Sequence, residues 1–439
     1  MTFQALRGTT DLLGERAGRW SAVEHAVRRL ARLYAYQEVR TPVIEEAALF
    51  LRSVGETTDI VQKEMFRFED RGGHEIVLRP EGTAPVVRAY LEHNLHKTQG
   101  FAKLFYLGPM FRAERPQAGR FRQFHQFGVE AIGSSSAWVD VEVIVLCQQM
   151  LRAAGVIAST VWLSTMGCRD DQQKSAAALR KLLESKRQSL CKDCQARFDR
   201  NIFRVLDCKN PECQKIARAA VHSLGSRPGY PPTPFVICDE CAAHFDTVRR
   251  GLKDAGVAFD DTQAFARGLD YYTRTVFEVR AEGLGAQDAV AAGGRYDHLV
   301  EELGGPSAGA VGFAAGIERV LMARGASETP AQPAGRRGVY LAMAQAQLAP
   351  EGFRMAQRLR GQGITTMMDY EGRSLKAQLR EADNAACRFV AILGEQELKQ
   401  GTLTVKDLEK GAQDSLSPEQ LIERAGGKAG AACHAGTAG

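Results

Sequence analysis

Residues 108–133 read GPMFRAERPQAGRFRQFHQFGVEAIG. The flanking runs LFYLGPMFRAE and RQFHQFGVEAIG have the apolar and aromatic content of strands, and the Pro/Gly-containing, charged middle reads as a basic loop between them. Alternate side chains of a strand share a face. Arg122, Phe124, Gln126, Gly128 and Glu130 therefore fall on one face, and Gln123, His125, Phe127 and Val129 on the other. The first set mixes donors and acceptors around Gly128, where no side chain blocks the floor, and this suits a small polar ligand. Arg112 lies near the same floor on the first strand, and Arg115 and Arg120 ride the loop. A planar guanidinium on a fixed hairpin can grip two phosphate oxygens at once. The competing reading is a solvated hairpin laced with surface ion pairs, the usual fate of a basic loop.

Neighbouring stretches shift that balance. ARGLDYYTRTVFEV places Arg267, Asp270, Tyr271, Tyr272 and Arg274 just before an apolar strand. LRPEGTAPVVR puts Glu81 and Thr83 between a strand and a helix over residues 83–95. GAVGFAAGIERVLMA is a strand entering a helix, with Gly312 and Gly316 where a backbone is closely approached and Glu318 and Arg319 at the helix start. AVAAGGRYDHLV reads as strand, glycine turn, helix. Each has a plainer reading alone: glycine for packing, tyrosine for a core edge, Glu–Arg for a surface pair. Tyr271 is read as core packing and His125 as a structural hydrogen-bond partner.

Further out, Val23, Ala26, Val27, Leu30, Leu33 and Tyr34 make one apolar face of a helix over 21–35, and 140–151 is helical again. Short strands surround the turn Arg71-Gly72-Gly73. From 170 to 262 the chain turns Lys/Arg- and Cys-rich and is broken by GSRPGYPPTP, which reads as an insertion with its own small core. A Pro/Ala/Gly-rich linker covers 326–336. Residues 337–425 alternate apolar strands with helices, Ser417 capping the last helix and Pro418 opening it, as in a small α/β domain with a parallel or mixed sheet. Residues 426–439 are low-complexity and read as disordered.

The 439-residue chain has length for two or three domains, 44% hydrophobic residues for a core, and a net charge of +5 compatible with an RNA partner. The first thirty residues carry Arg7, Asp11, Glu15, Arg16 and Arg19, so no apolar signal core is expected. No run reaches membrane-spanning length. A soluble, cytoplasmic protein is the expectation. Six of the ten cysteines lie between Cys191 and Cys241. Cys191-x2-Cys194, Cys208-x4-Cys213 and Cys238-x2-Cys241 can each lend two thiolates to a structural Zn²⁺. Any two pairs make a quartet, and His222 or His244 can replace one thiolate. The alternative is a small core with unused buried thiols.

Taken together, these motifs resemble those of histidyl-tRNA synthetases, class II aminoacyl-tRNA synthetases, from RGTTDLL at Arg7 to about Ala425. RTPVIEE resembles the first class II motif, which builds the dimer interface. The hairpin resembles the second and GAVGFAAGIERV the third. RPEGT, RGLDYYTRTVFE and AGGRYD resemble the histidine-specific signatures. The resemblance implies an α+β class II catalytic core, an antiparallel sheet with helices, in two parts (1–169 and 263–325) around an insertion domain at 170–262, followed by a C-terminal α/β anticodon-binding domain at 337–425. It implies a homodimer that converts L-histidine and ATP to histidyl-adenylate, with Mg²⁺, and then charges tRNA(His), an extra 5′ guanosine of the tRNA being the major determinant. Arg112, Glu114, Arg120 and Arg319 would bind ATP. Glu81, Thr83, Gln126, Glu130, Arg267, Tyr272 and Tyr296 would bind histidine, and Arg267 and Arg112 would be catalytic. Arg373, Lys376 and Gln378 are candidate RNA contacts, with a solvated helix face as the competing reading. The second function considered is a histidine-binding regulatory paralogue, of the ATP phosphoribosyltransferase regulatory-subunit type, that does not charge tRNA. Such a protein would lack residues 337–425 and tend to lose Arg112, Arg267 and Arg319.

Overall fold

The two flanks of the 108–133 stretch pair antiparallel as the second and third strands from one edge of the larger sheet. A computed structural model describes residues 3–55, 58, 60–116, 119–206, 208, 210–224, 227, 230, 235–262, 271–282, 284, 288–325 and 335–426. The chain divides into two units, residues 1–328 and 329–439. In the first unit the strands are β1 Gln37–Glu38, β2 Ile44–Glu46, β3 Phe66–Glu69, β4 Glu75–Leu78, β5 Ala102–Phe111, β6 Gln123–Ile132, β7 Ser159–Thr165, β8 Phe259–Asp260, β9 Thr273–Ala281, β10 Ala289–Arg295 and β11 Ala310–Gly316. Among the described residues, eight of them form one sheet in the order β1-β5-β6-β11-β10-β9-β7-β8. Its interior pairs are antiparallel, and only the edge pairs β1–β5 and β7–β8 run parallel.

The two-residue period sorts this sheet into an apolar face and a chemical face. Phe127, Val129, Phe277, Val279, Val311, Phe313 and Ala315 enter a core with the helices Gly14–Leu33, Ala137–Ala153, Asp239–Asp254 and Ile317–Gly325. Their alternates Gln126, Glu130, Glu278, Gly312 and Ala314 face the other way and line cavities there. AGGR is strand throughout, where a glycine turn is expected. A Cβ on Gly293 would lie 2.3 Å from the Gly312 carbonyl oxygen, and one on Gly294 would lie 2.7 Å from that of Thr275. These glycines admit neighbouring strands rather than turn the chain. Arg295, fully buried, closes the strand: its guanidinium donates to Asp140 and to the carbonyls of Ser134 and Ser136 at 2.9 and 3.0 Å. Asp140 also accepts from Thr275 at 2.6 Å and pairs with His244 at 2.7 Å. Burial opposes ionisation of Asp140, but His244 and Arg295 outweigh it and keep the carboxyl below its usual range.

The separate core expected over 170–262 is narrower than that span. Leu179, Leu183, Leu190, Phe198, Ile202, Val205 and Ala217 form it. Phe245, Val248 and Leu252 of the helix Asp239–Asp254 instead join the main core, and β8 pairs with β7 at the edge of the large sheet. β2, β4 and β3 form a second, antiparallel sheet.

In the second unit β12 Val339–Met343, β13 Thr366–Met368, β14 Phe389–Leu393, β15 Leu403–Asp407 and β16 Gln413–Leu416 make a mixed sheet, β13-β12-β14 parallel and β14-β15-β16 antiparallel. Ser417 and Gln420 exchange side-chain-to-backbone bonds at 3.3 and 2.8 Å, capping the helix Pro418–Gly426 as Ser417-Pro418 suggests. Most of the expected linker, residues 326–334, and the tail from 427 onward lie outside the described residues.

Candidate active site

Two cavities open on the chemical face, about 500 and 340 Å³, and Arg112, Gln126, Ala292 and Ala314 line both. They are two chambers meeting at one boundary.

The smaller chamber is built of acids and tyrosines. Glu81, Thr83, Gln126, Glu130, Tyr272 and Tyr296 all line it. Glu81 ends the loop after β4, where its carboxylate accepts the backbone N–H groups of Thr83 and Ala84 at 2.7 and 2.9 Å and caps the helix Thr83–Glu92. The loop is anchored by Arg79, whose guanidinium donates to Thr41 and to the Pro109 carbonyl at 2.8 and 2.9 Å. Glu130 lies fully buried on β6. The Thr83 hydroxyl donates to it at 2.8 Å, and the Tyr296 hydroxyl makes a short bond to its other oxygen. Burial pushes the Glu130 carboxyl up to about 8, against hydrogen bonds that favour its charge, and burial also raises that of Glu81. Gln126 presents a buried Oε1 with no hydrogen-bond partner among the described residues. An acceptor in this state has the chemistry to receive a ligand's ammonium or N–H.

Glycines make room for these groups. A Cβ on Gly312 would come within 1.9 Å of Glu130 Oε2, and one on Gly128 within 2.5 Å of the Tyr106 hydroxyl. Gly128 is therefore not the open floor the alternation suggests, because the Tyr106 ring fills that space. Gly316 is not closely approached either: the nearest atom to its added Cβ is 3.7 Å away. It lines the larger chamber.

The larger chamber is lined by arginines and acids in equal number. Arg112, Glu114, Arg120 and Arg319 all line it, with Phe124 and Glu318. Arg112 donates to the Pro80 carbonyl at 3.1 Å and lies over the Phe124 ring, 5.2 Å from its centroid. Arg120 pairs with Glu114 at 2.7 Å, and Arg112 stands 3.8 Å from the same carboxylate. Arg319 donates to the Ala289 carbonyl at 2.7 Å. Burial, together with the nearby Arg120, lowers its affinity for its proton without approaching neutrality. These arginines are preoriented and partly exposed. Glu318 accepts the His125 backbone N–H at 2.9 Å and touches its ring, so His125 braces the helix start.

Arg267 and Asp270 lie outside the described residues. Tyr271 is buried in the core as read, and it also borders the smaller chamber, its ring 4.9 Å from Tyr272 and 5.7 Å from Tyr296. Arg204 of the insertion and Glu64 also reach that chamber, and Glu278, Arg280 and Asp288 reach the larger one. Glu278 and Arg280 had a legible signal: in RTVFEVRAE they share the strand face opposite Phe277 and Val279. In the second unit Gln378 is buried, and its amide bonds the Met343 backbone at 2.9 and 3.0 Å, which removes it from the candidate RNA contacts. Arg373 is paired with Asp369 and Glu381, while Lys376 and Arg380 border a surface groove beside them.

The cysteines divide in a way spacing left open. The sulfurs of Cys191, Cys194, Cys208 and Cys213 lie within 4.8 Å of one another, Cys191 and Cys208 at 3.8 Å. Cys238 and Cys241 belong to a different group with Cys168 and Asp171. His222 and His244 belong to neither, and His244 is engaged by Asp140.

Residues 8–320 match the family described as histidyl-tRNA synthetase, and residues 338–426 match an anticodon binding domain. The histidine–tRNA ligase of Desulfitobacterium hafniense (strain DSM 10664 / DCB-2) is 46% identical over 96% of this chain and 97% of its own length. The apo histidyl-tRNA synthetase of S. aureus superposes with a TM-score of 0.78 at 30% identity, over 97% of this chain and 100% of that one. A protein of Bacillus halodurans C described as an ATP phosphoribosyltransferase regulatory subunit/histidyl-tRNA synthetase shares the fold, with a TM-score of 0.64 at 22% identity over 90% of this chain and 99% of that one. The chain belongs to the histidyl-tRNA synthetase family.

Proposed function

We propose that the chain activates L-histidine with ATP and passes the histidyl group to the 3′ end of tRNA(His). One observation carries this reading: an acid-and-tyrosine chamber and an arginine chamber share Arg112 and Gln126 at their boundary. A carboxylate bound in the first chamber is thereby presented to a phosphate bound in the second. In the first step a carboxylate oxygen of histidine bonds to the α-phosphorus, the bond to the bridging oxygen breaks, and pyrophosphate leaves. Arg112 holds the α-phosphate and the carboxylate together, Arg120 takes the β- and γ-phosphates, Glu114 faces adenine, and Arg319 stacks on adenine and reaches the γ-phosphate. Positioned cations lower the barrier as charge gathers on the phosphoryl oxygens. Arg267 is assigned the electrophile beside the α-phosphate on family resemblance alone. Glu81, Thr83 and Gln126 receive the α-ammonium, and Glu130, Tyr272 and Tyr296 read the imidazole nitrogens. Glu278 and Asp288, whose carboxylates lie 2.9 and 3.7 Å from Arg280, have the hard oxygen donors that would hold Mg²⁺, which would supply neutralisation of the phosphate charge. In the second step the terminal ribose hydroxyl attacks the histidyl carbonyl and AMP departs.

The anticodon domain and the intact arginine chamber favour this over a regulatory role confined to histidine binding. Lys376 and Arg380 are the RNA-facing cations we assign in that domain. Exposed Val43, Ile44 and Phe68 on β2, β3 and the segment before them support a homodimer through that sheet. Free thiols among the described cysteines support a reducing cytoplasm, and no described helix is long and apolar enough to cross a membrane. We assign a structural Zn²⁺ to Cys191, Cys194, Cys208 and Cys213. Their 3.8 Å sulfur pair matches the edge of about 3.8 Å that four Zn–S bonds near 2.3 Å require.

The test is histidine-dependent ATP–pyrophosphate exchange, with Arg267→Ala as control. Exchange with histidine alone, lost in the variant, is expected. Absence of exchange from folded protein that still binds histidine would overturn the enzyme reading.

A further inference from the structure

Cys238 and Cys241 open the helix Asp239–Asp254, and Cys168 and Asp171 face them from the start of the helix Arg169–Leu183. The three sulfurs and an Asp171 carboxylate oxygen all lie within 4.8 Å of one another. A tetrahedral zinc with Zn–S near 2.3 Å and Zn–O near 2.0–2.2 Å needs ligand edges of about 3.5–3.8 Å, so small side-chain rotations close the site. The surroundings suit an anionic ligand set. The Cys238 N–H lies 3.2 Å from both Asp171 oxygens, the Cys168 N–H donates to Asp171 Oδ2 at 3.3 Å, and the Cys241 N–H donates to Cys238 Sγ at 3.5 Å. Both helices aim their positive ends at the cluster. Such backbone donors fix the ligands before the metal arrives.

We propose that Cys168, Asp171, Cys238 and Cys241 hold a second Zn²⁺, separate from that of the insertion, which joins the first helix of the insertion to the main core and steadies the histidine chamber. The connection to the chamber is short. Gln172, next to Asp171, donates to the Tyr272 carbonyl at 2.9 Å. Gly167, next to Cys168, accepts the Arg274 N–H at 2.7 Å, and Arg274 in turn accepts the Met166 N–H at 2.7 Å. Tyr272 lines the chamber.

Zinc content of the reduced, full-length protein tests this. The wild type is expected to carry two ions per chain, one for each cluster. Cys238→Ser should carry one, Cys194→Ser the other one, and the double variant none. Asp171→Cys should retain both and yield its second ion to chelator more slowly. A wild type with a single zinc, removed by Cys194→Ser and kept by Cys238→Ser, would overturn the proposal, as would two zincs in Cys238→Ser. Should that variant fail to fold, alkylation of the zinc-loaded wild type decides. Cys168, Cys238 and Cys241 should resist iodoacetamide until chelator is added. Immediate labelling, or a disulfide among them, refutes the site. Cys238→Ser should also raise the KM for histidine several-fold at unchanged KM for ATP, and an unchanged value would overturn the link to the chamber. That KM rests on the chamber assignment, whereas the zinc counts are independent of it.

Discussion

The two chambers meet at the same side chains yet are held by opposite means. In the smaller one the polar groups are buried and bonded to one another: Thr83 and Tyr296 to Glu130, and the Thr83 and Ala84 backbone to Glu81. In the larger one the arginines are partly exposed and rest on carbonyls or on Glu114. A buried, mutually bonded network discriminates, because a wrong ligand leaves a dry polar atom unpaired. Partly exposed arginines beside carboxylates suit a site whose ligand brings several negative charges and must release them as pyrophosphate. The difference teaches where selection and where charge stabilisation reside.

Variants on the two sides should therefore fail differently. The largest effect is expected at the boundary. Arg112→Ala should lower the rate of pyrophosphate exchange by on the order of 10²–10³-fold, the usual scale for losing one transition-state charge partner. A loss confined to KM for either substrate would show that Arg112 only binds. Glu130→Gln comes next, with kcat/KM for histidine down roughly tenfold, about the net value of one hydrogen bond between neutral groups, and KM for ATP unchanged.

The same variant carries a pH signature. The Glu130 carboxyl has a folded-state value near 8, raised by burial above the 4.5 of an exposed group. Folding thus favours its protonated form, and the stability cost is absent at low pH, grows from about pH 4.5 to 8 and is constant above. Gln is permanently neutral but cannot accept from both Thr83 and Tyr296. The variant should be less stable than wild type at pH 5, with the gap narrowing by pH 9. A gap in melting temperature that does not change with pH would mean Glu130 is not the buried neutral acid described here.

A comparable effect is expected from Gly312→Ala. Its Cβ collides with Glu130 Oε2, so the KM for histidine should rise about tenfold, within the 1–3 kcal/mol range of overpacking. A matching rise in the KM for ATP would show that the chambers are not separable in this way. Outside both chambers, Asp140→Asn should lower stability by about 3 kcal/mol, the low end for a broken buried pair because Arg295 keeps Asp297 at 2.9 Å, an effect for denaturant melts to measure.

Much of this was legible along the chain. Strand alternation alone placed Gln126 and Glu130 on one face and Phe127 and Val129 on the other, because the two-residue period is local geometry. The strand-to-helix passage at residues 310–325 and the cap at Ser417 were equally local. Family resemblance, not periodicity, supplied the amino acid and the roles of individual residues.

What needed the tertiary structure was every relation between distant segments. Tyr271 packs in the core as its sequence suggests, and only the fold shows that this part of the core also walls a cavity. Gln378 looks like a helix-surface amide and is consumed by Met343. Gly293 and Gly294 look like a turn and are strand residues, because crowding by Gly312 and Thr275 comes from elsewhere in the chain. Three cysteine pairs could not be sorted by spacing, since Cys168 and Asp171 reach Cys238 and Cys241 only through the way two helices begin side by side. Sequence by itself determined the period, polarity and caps of each element. Which side chains share a cavity or a metal was decided only by packing, because burial and distance are properties of the folded chain.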